Sequence, residues 1–95
     1  MIEKKQIYQK SPTEEIDFGI NWTALLKTGE TITQSLWIAP SPIDIALQQI
    51  VGNITVCYIS GGTLDTRVEV FNKITTSLGA VYERFIVLEI ENIQA

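Results

Sequence analysis

Thr66-Arg67-Val68-Glu69-Val70-Phe71-Asn72-Lys73-Ile74-Thr75 and Tyr82-Glu83-Arg84-Phe85-Ile86-Val87-Leu88-Glu89-Ile90 decide the fold of this chain. In the first run, Val68 and Val70 lie on one face, with Arg67, Glu69 and Phe71 on the other. In the second, Tyr82, Arg84, Ile86, Leu88 and Ile90 share a face, opposite Val81, Glu83, Phe85, Val87 and Glu89. A period of two belongs to strands, because successive Cβ atoms of an extended chain point to opposite sides. Ile86, Leu88 and Ile90 are therefore placed inward. Arg84 falls on that same face. Either the parity flips at a bulge, or Arg84 lies near the strand's end, with its stem on the core rim and its head in water. Ser77-Leu78-Gly79 punctuates the two runs as a turn.

Working outward, the same grammar recurs. Ile16, Phe18 and Ile20 alternate with Asp17, Gly19 and Asn21, a half-buried strand. Trp22 breaks the polar parity, and Leu25 or Leu26 is placed as a plug at one end of the core. Thr28-Gly29-Glu30 reads as a turn into Thr31–Ile38, where Ile32, Leu36 and Ile38 compete with Trp37 for the inside. Ile43–Ile50 is ambiguous: Ile43, Ala46, Leu47 and Ile50 fit helical spacing, with Ser41-Pro42 as a start signal. The flanking runs favour a strand, followed by a hairpin at Gly52-Asn53 into Ile54–Ile59. Ile7 and Tyr8 begin the set. The reading is an all-β, antiparallel, two-sheet sandwich of about seven strands, immunoglobulin- or fibronectin-III-like, forming a single domain over residues 1–95. A closed barrel is the alternative.

Composition supports this and excludes much else. Ile, Val and Thr make up about a third of the chain, a bias that suits pleated surfaces. Hydrophobic residues at 45% with 19% charged mark a globular chain of 95 residues. His is absent, which removes a His base, a Ser-His triad and a His metal ligand. A single Cys makes neither an internal disulfide nor a multi-Cys zinc site. The formal charge of −4 repels nucleic acid and anionic membranes, so neither is expected as a partner. No apolar run approaches the ~20 residues of a bilayer span. Met1-Ile2-Glu3-Lys4-Lys5 lacks a hydrophobic signal region, which predicts a cytoplasmic start. The triplets Asn21-Trp22-Thr23 and Asn53-Ile54-Thr55 then read as chance glycosylation matches.

Candidate chemistry weighs little against simpler readings. Glu14-Glu15-Ile16-Asp17 is the densest acidic cluster, read as a solvated strand edge that discourages pairing. Ser11-x-x-Glu14 matches a capping box, but the alternation that follows is not helical. Gly61-Gly62 lacks the Lys-Ser/Thr of a phosphate loop and reads as a turn needing positive φ. Cys57 sits mid-strand as a buried, inert thiol. Of Trp22 and Trp37, one is expected in the core and the other partly exposed. No catalytic, cofactor-binding or metal-binding constellation is present, so the chain is not expected to be an enzyme.

A family pattern emerges from the second half. Thr55-Val56-Cys57-Tyr58-Ile59-Ser60-Gly61-Gly62-Thr63-Leu64 leads to Val68-Glu69-Val70, Ile74-Thr75-Thr76-Ser77-Leu78-Gly79 and Glu83-Arg84. Ile16-Asp17-Phe18-Gly19-Ile20-Asn21-Trp22, Leu26, Gly29-Glu30-Thr31-Ile32 and Ser35-Leu36-Trp37 complete it. This resembles the small fibronectin-III-like proteins encoded among the structural genes of tailed bacteriophages and prophages. The resemblance implies a non-catalytic virion component or assembly accessory: capsid decoration, head-tail joining or tail-associated. It implies residence in the virion, with host cytoplasm during assembly. The partners it implies are other virion proteins, with homo-oligomers of the chain as a further option. Trp37, Ile45, Tyr58, Phe71 and Tyr82 are the candidate contact residues, and an exposed Ile43–Ile50 edge would mark the partner surface. An adhesion or carbohydrate-binding module is the alternative, with an exposed Trp or Tyr stacking on sugar.

Overall fold

A computed structural model describes residues 7–92. Seven strands form: β1 (Ile7–Lys10), β2 (Ile16–Asn21), β3 (Ile32–Ile38), β4 (Ile43–Val51), β5 (Ile54–Gly61), β6 (Thr66–Thr76) and β7 (Val81–Ile90). They make two sheets rather than one closed barrel: a four-stranded sheet ordered β1-β7-β6-β3 and a three-stranded sheet ordered β2-β5-β4. All pairings are antiparallel except β1 with β7, which is parallel. That exception corrects the expectation of a purely antiparallel sandwich. No hairpin joins β1 to β7, and the chain turns at Ser11-Pro12 to enter the opposite sheet, so hairpin geometry does not fix its direction.

The core lies between the sheets. Val70, Ile74, Ile86, Leu88 and Ile90 face inward from the larger sheet, and Phe18, Ile20, Cys57 and Ile59 from the smaller. Burying each such aliphatic side chain contributes roughly 1.5–3 kcal/mol. Leu25 and Leu26 both pack against this cluster where the chain crosses between sheets. Arg84 keeps the parity of an unbroken β6–β7 register, half-buried, and its Nη1 turns back to donate to the Glu83 carbonyl at 2.8 Å.

Two irregular strands explain the ambiguous patterns. In β3 the register shifts between Ile32 and Gln34, so Ile32 and Trp37 both face inward despite their opposite parity. In β4 the shift lies between Ala46 and Gln49, with Leu47 at φ 51. This bulge places Ile43, Ile45 and Ile50 on the side of their inward-facing partners, which sequence alone mimics with helical spacing. The Gln48 side chain then reaches across, its Oε1 accepting the Trp37 backbone N–H at 3.1 Å. That bond closes one open side of the sandwich. On the other side, Tyr8 meets Phe18 edge-on with ring centroids 5.2 Å apart.

A buried polar chain also links the sheets. Trp22 Nε1 donates to Thr55 Oγ1 at 2.9 Å, and that hydroxyl donates to Asn72 Oδ1 at 2.5 Å. Asn72 Nδ2 donates on to Ser35 Oγ and the Leu36 carbonyl. Lys10 is fully buried as well, with Nζ donating to the carbonyls of Ser11 (2.8 Å) and Gly61 (2.6 Å). Desolvation lowers its pKa, opposed by the charge of Glu14. Glu30 accepts from the Lys27 N–H and from Thr76 Oγ1, which hold its carboxyl below the ordinary value. Ser11 and Glu14 reproduce half of a capping box without a helix: Glu14 Oε1 accepts the Ser11 N–H at 2.8 Å and closes a turn.

Candidate protein-contact surface

Strand pairing sets which side chains share the outer face of the four-stranded sheet. Antiparallel partners project to the same side, so Ile38, Phe71 and Phe85 form one row across β3, β6 and β7. Leu36, Lys73 and Glu83 form the next row, and Glu69, Val87 and Ile7 the row on the other side. The rings of Phe71 and Phe85 lie tilted at 46° with centroids 5.5 Å apart. Ile38, Leu36 and Ile7 are exposed, and Val87 is buried beneath its neighbours. The face is thus an apolar stripe bordered by Arg67, Lys73, Glu69, Glu83 and Glu89. An open groove of about 730 Å³ lies beside it, between Ile38 at the end of β3 with Ala39 and Pro40 beyond, and the Arg67–Phe71 part of β6.

The five contact candidates do not converge. Phe71 belongs to this stripe. Tyr58 is 38% exposed but stands on the opposite side of the molecule, on the outer face of the smaller sheet beside Asp17 and Ala46. Ile45 and Tyr82 are half-buried and packed against the core. Trp37 is 3% exposed and belongs to the core, which corrects its place among surface residues. Trp22 is buried too, so neither tryptophan is the expected exposed one. The bulge-driven parity of β3 turns Trp37 inward, and its Nε1 has no hydrogen-bond partner among the described residues. The β4 edge exposes Leu47, Ile50 and Val51, whereas its first half is anchored by Ile43 and Ile45.

Sequence reading missed Ile38, Phe85 and Ile7 as members of the stripe. Their signal is cross-strand: each is unremarkable alone and meaningful only in register with Phe71 or Val87. Chemically the described residues offer little else. No group of three His, Cys, Asp or Glu that could hold a metal occurs among them. Burial pushes the Cys57 thiol up to about 12. No helix among the described residues is long and apolar enough to cross a membrane.

A search of the curated proteins finds no match. A family model does match, that of the podophage GP4 fiber-tail adaptor protein gp77, over residues 10–89. The match spans all of the strands from β2 to β6 and nearly all of β7. With β2 to β6 and nearly all of β7 inside the matched region, the chain belongs to the podophage GP4 fiber-tail adaptor gp77 family.

Proposed function

We propose that this domain is a non-catalytic, tail-associated part of the virion, and that it joins neighbouring virion proteins through the outer face of its four-stranded sheet. Membership in a family of fiber-tail adaptors supports a structural role in a phage tail. The observation that carries the surface assignment is the Ile38–Phe71–Phe85 row with Ile7 and Leu36 beside it. Large apolar and aromatic side chains gathered on one face, ringed by charge, have the make-up of an interface core and rim. The strand order further supports an immunoglobulin-like reading: β2-β5-β4 against β7-β6-β3 reproduces the two-sheet split of that fold, with the first strand moved to the larger sheet. Partners are virion proteins, and the domain acts where the particle is assembled.

The test is a purified virion. Mass spectrometry should detect the chain, and cross-linking should place its contacts on the Phe71 face. Phe71→Glu should abolish incorporation while Tyr58→Glu, on the opposite face, leaves it intact. Equal incorporation of both variants would refute the surface assignment, and absence of the chain from virions would refute the role.

A further inference from the structure

The four-stranded sheet has a gap in it. β6 runs Thr66–Thr76, but β3 covers only its Phe71–Thr76 half, since the register ends at Ile38 with Phe71. Beyond that point the chain peels away through Ala39 and Pro40, and the Pro40 carbonyl accepts the Ile43 N–H at 3.0 Å as the path swings to the other sheet. The direction of each β6 backbone group is fixed by its neighbours. Ser77 N–H donates to the Thr31 carbonyl and Thr33 Oγ1 donates to the Thr75 carbonyl, so odd-numbered residues face β3. Thr76 N–H donates to the Ala80 carbonyl, so even-numbered residues face β7. Trp37 N–H points away to Gln48, which agrees. Continuing the alternation, Arg67 and Glu69 direct their N–H and C=O toward the side that β3 has vacated. Both residues are exposed, and the groove beside them is open. Were the register to continue, Pro40 would be the next ladder partner of Glu69, and it has no N–H to give.

We infer that this slot receives an extended segment of a neighbouring virion protein, which adds as a short strand against Arg67–Glu69 in line with β3. The inference rests on the adaptor reading for the partner's source, but the slot is defined by backbone geometry alone. Thr66–Val70 offers about 16 Å of strand at roughly 3.3 Å per residue. An incoming strand would satisfy the backbone groups of Arg67 and Glu69, which is how strand addition supplies affinity. Its side chains supply specificity. On the outer face it needs an acidic residue near Arg67 and a basic one near Glu69, at alternate positions. Between them, a small apolar residue faces the half-buried Val68 and Ala39.

Short overlapping peptides covering the other virion proteins encoded with this chain, and the chain itself, are the probe. They are screened for binding to the intact protein, and binders are carried into amide hydrogen exchange. A bound partner peptide should slow exchange at Arg67 and Glu69 by at least about tenfold while leaving Phe71–Thr76 unchanged. The paired variant Arg67→Glu with Glu69→Arg, both exposed positions, should keep the fold and change which peptides bind. No protection at Arg67 and Glu69, protection at the β1 or β4 edge instead, binding by this chain's own peptides alone, or unchanged selectivity of the paired variant would each overturn the inference. Loss of the adaptor reading shows separately, as absence of the chain from purified virions.

Discussion

The polar chain through the core is open to a sharp test with Thr55→Val. The substitution preserves shape and exchanges a hydroxyl for a methyl. That hydroxyl accepts from Trp22 Nε1 and donates to Asn72 Oδ1, and Thr55 is fully buried. Valine therefore leaves a buried donor and a buried acceptor unpaired. At about 1–3 kcal/mol for each orphaned group, the expected loss is roughly 2–6 kcal/mol. For a domain of this size, at about 4–8 °C per kcal/mol, Tm falls by roughly 10–50 °C. Urea unfolding followed by tryptophan fluorescence measures the loss, since Trp22 and Trp37 both sit in the core. Thr33→Val is the control: its hydroxyl donates to the Thr75 carbonyl at an exposed site, and the change should stay within about 0.5 kcal/mol. A loss below about 1 kcal/mol for Thr55→Val would refute the reasoning, because the polar link would then carry no more than an ordinary exposed bond. Trp22→Phe combined with Thr55→Val should cost less than the sum of the two, since each removes the same bond.

Other outcomes follow from single sites. Glu30 has a carboxyl pKa held below the ordinary 4.5, so its contribution is present above the unfolded value and fades as pH falls through the lower folded one. Glu30→Gln should flatten that part of the acid limb in urea titrations, and an unchanged limb would count against it. Gly29 and Gly61 share φ +81, but a Cβ at Gly29 meets nothing, whereas one at Gly61 lies 2.5 Å from the Pro42 carbonyl oxygen. Gly29→Ala should therefore cost only the left-handed strain of about 1–2 kcal/mol, and Gly61→Ala distinctly more in thermal melts. Cys57, fully buried with its thiol raised to about 12, should resist iodoacetamide in the native protein and react on unfolding.

How much was legible in the sequence depended on whether a strand was regular. β2, β6 and β7 alternate cleanly: Phe18 and Ile20 marked the buried face of β2, Ile86, Leu88 and Ile90 that of β7, and Val68 and Val70 a shared face of β6. β5 followed from the Gly52-Asn53 hairpin. β3 resisted because its bulge lets Ile32 and Trp37 share one side. β4 imitated a helix because one extra residue interrupts its period of two, Leu47 and Gln48 together standing opposite Cys57 alone. Asn72 gave no sign of being buried, because its reason is Thr55, far off in sequence. The proposed contact face was legible only as Phe71. Ile38, Phe85 and Ile7 join it through pairing between strands, a relation that period alone does not encode. The parallel placement of β1 was hidden for the same reason.

That placement has a mechanical consequence. β1 and β7 are the first and last strands, side by side and pointing the same way, with Ile7 to Lys10 against Val87 to Ile90. A pull applied between the two ends of the domain draws the strands along their own length, in opposite senses. Their hydrogen bonds then share the load together, and none can open before the next. An antiparallel pair pulled from adjacent ends would instead unzip, each bond failing in turn. A domain strung in series along a line of tension is clamped by this arrangement at the point where the pull enters and leaves.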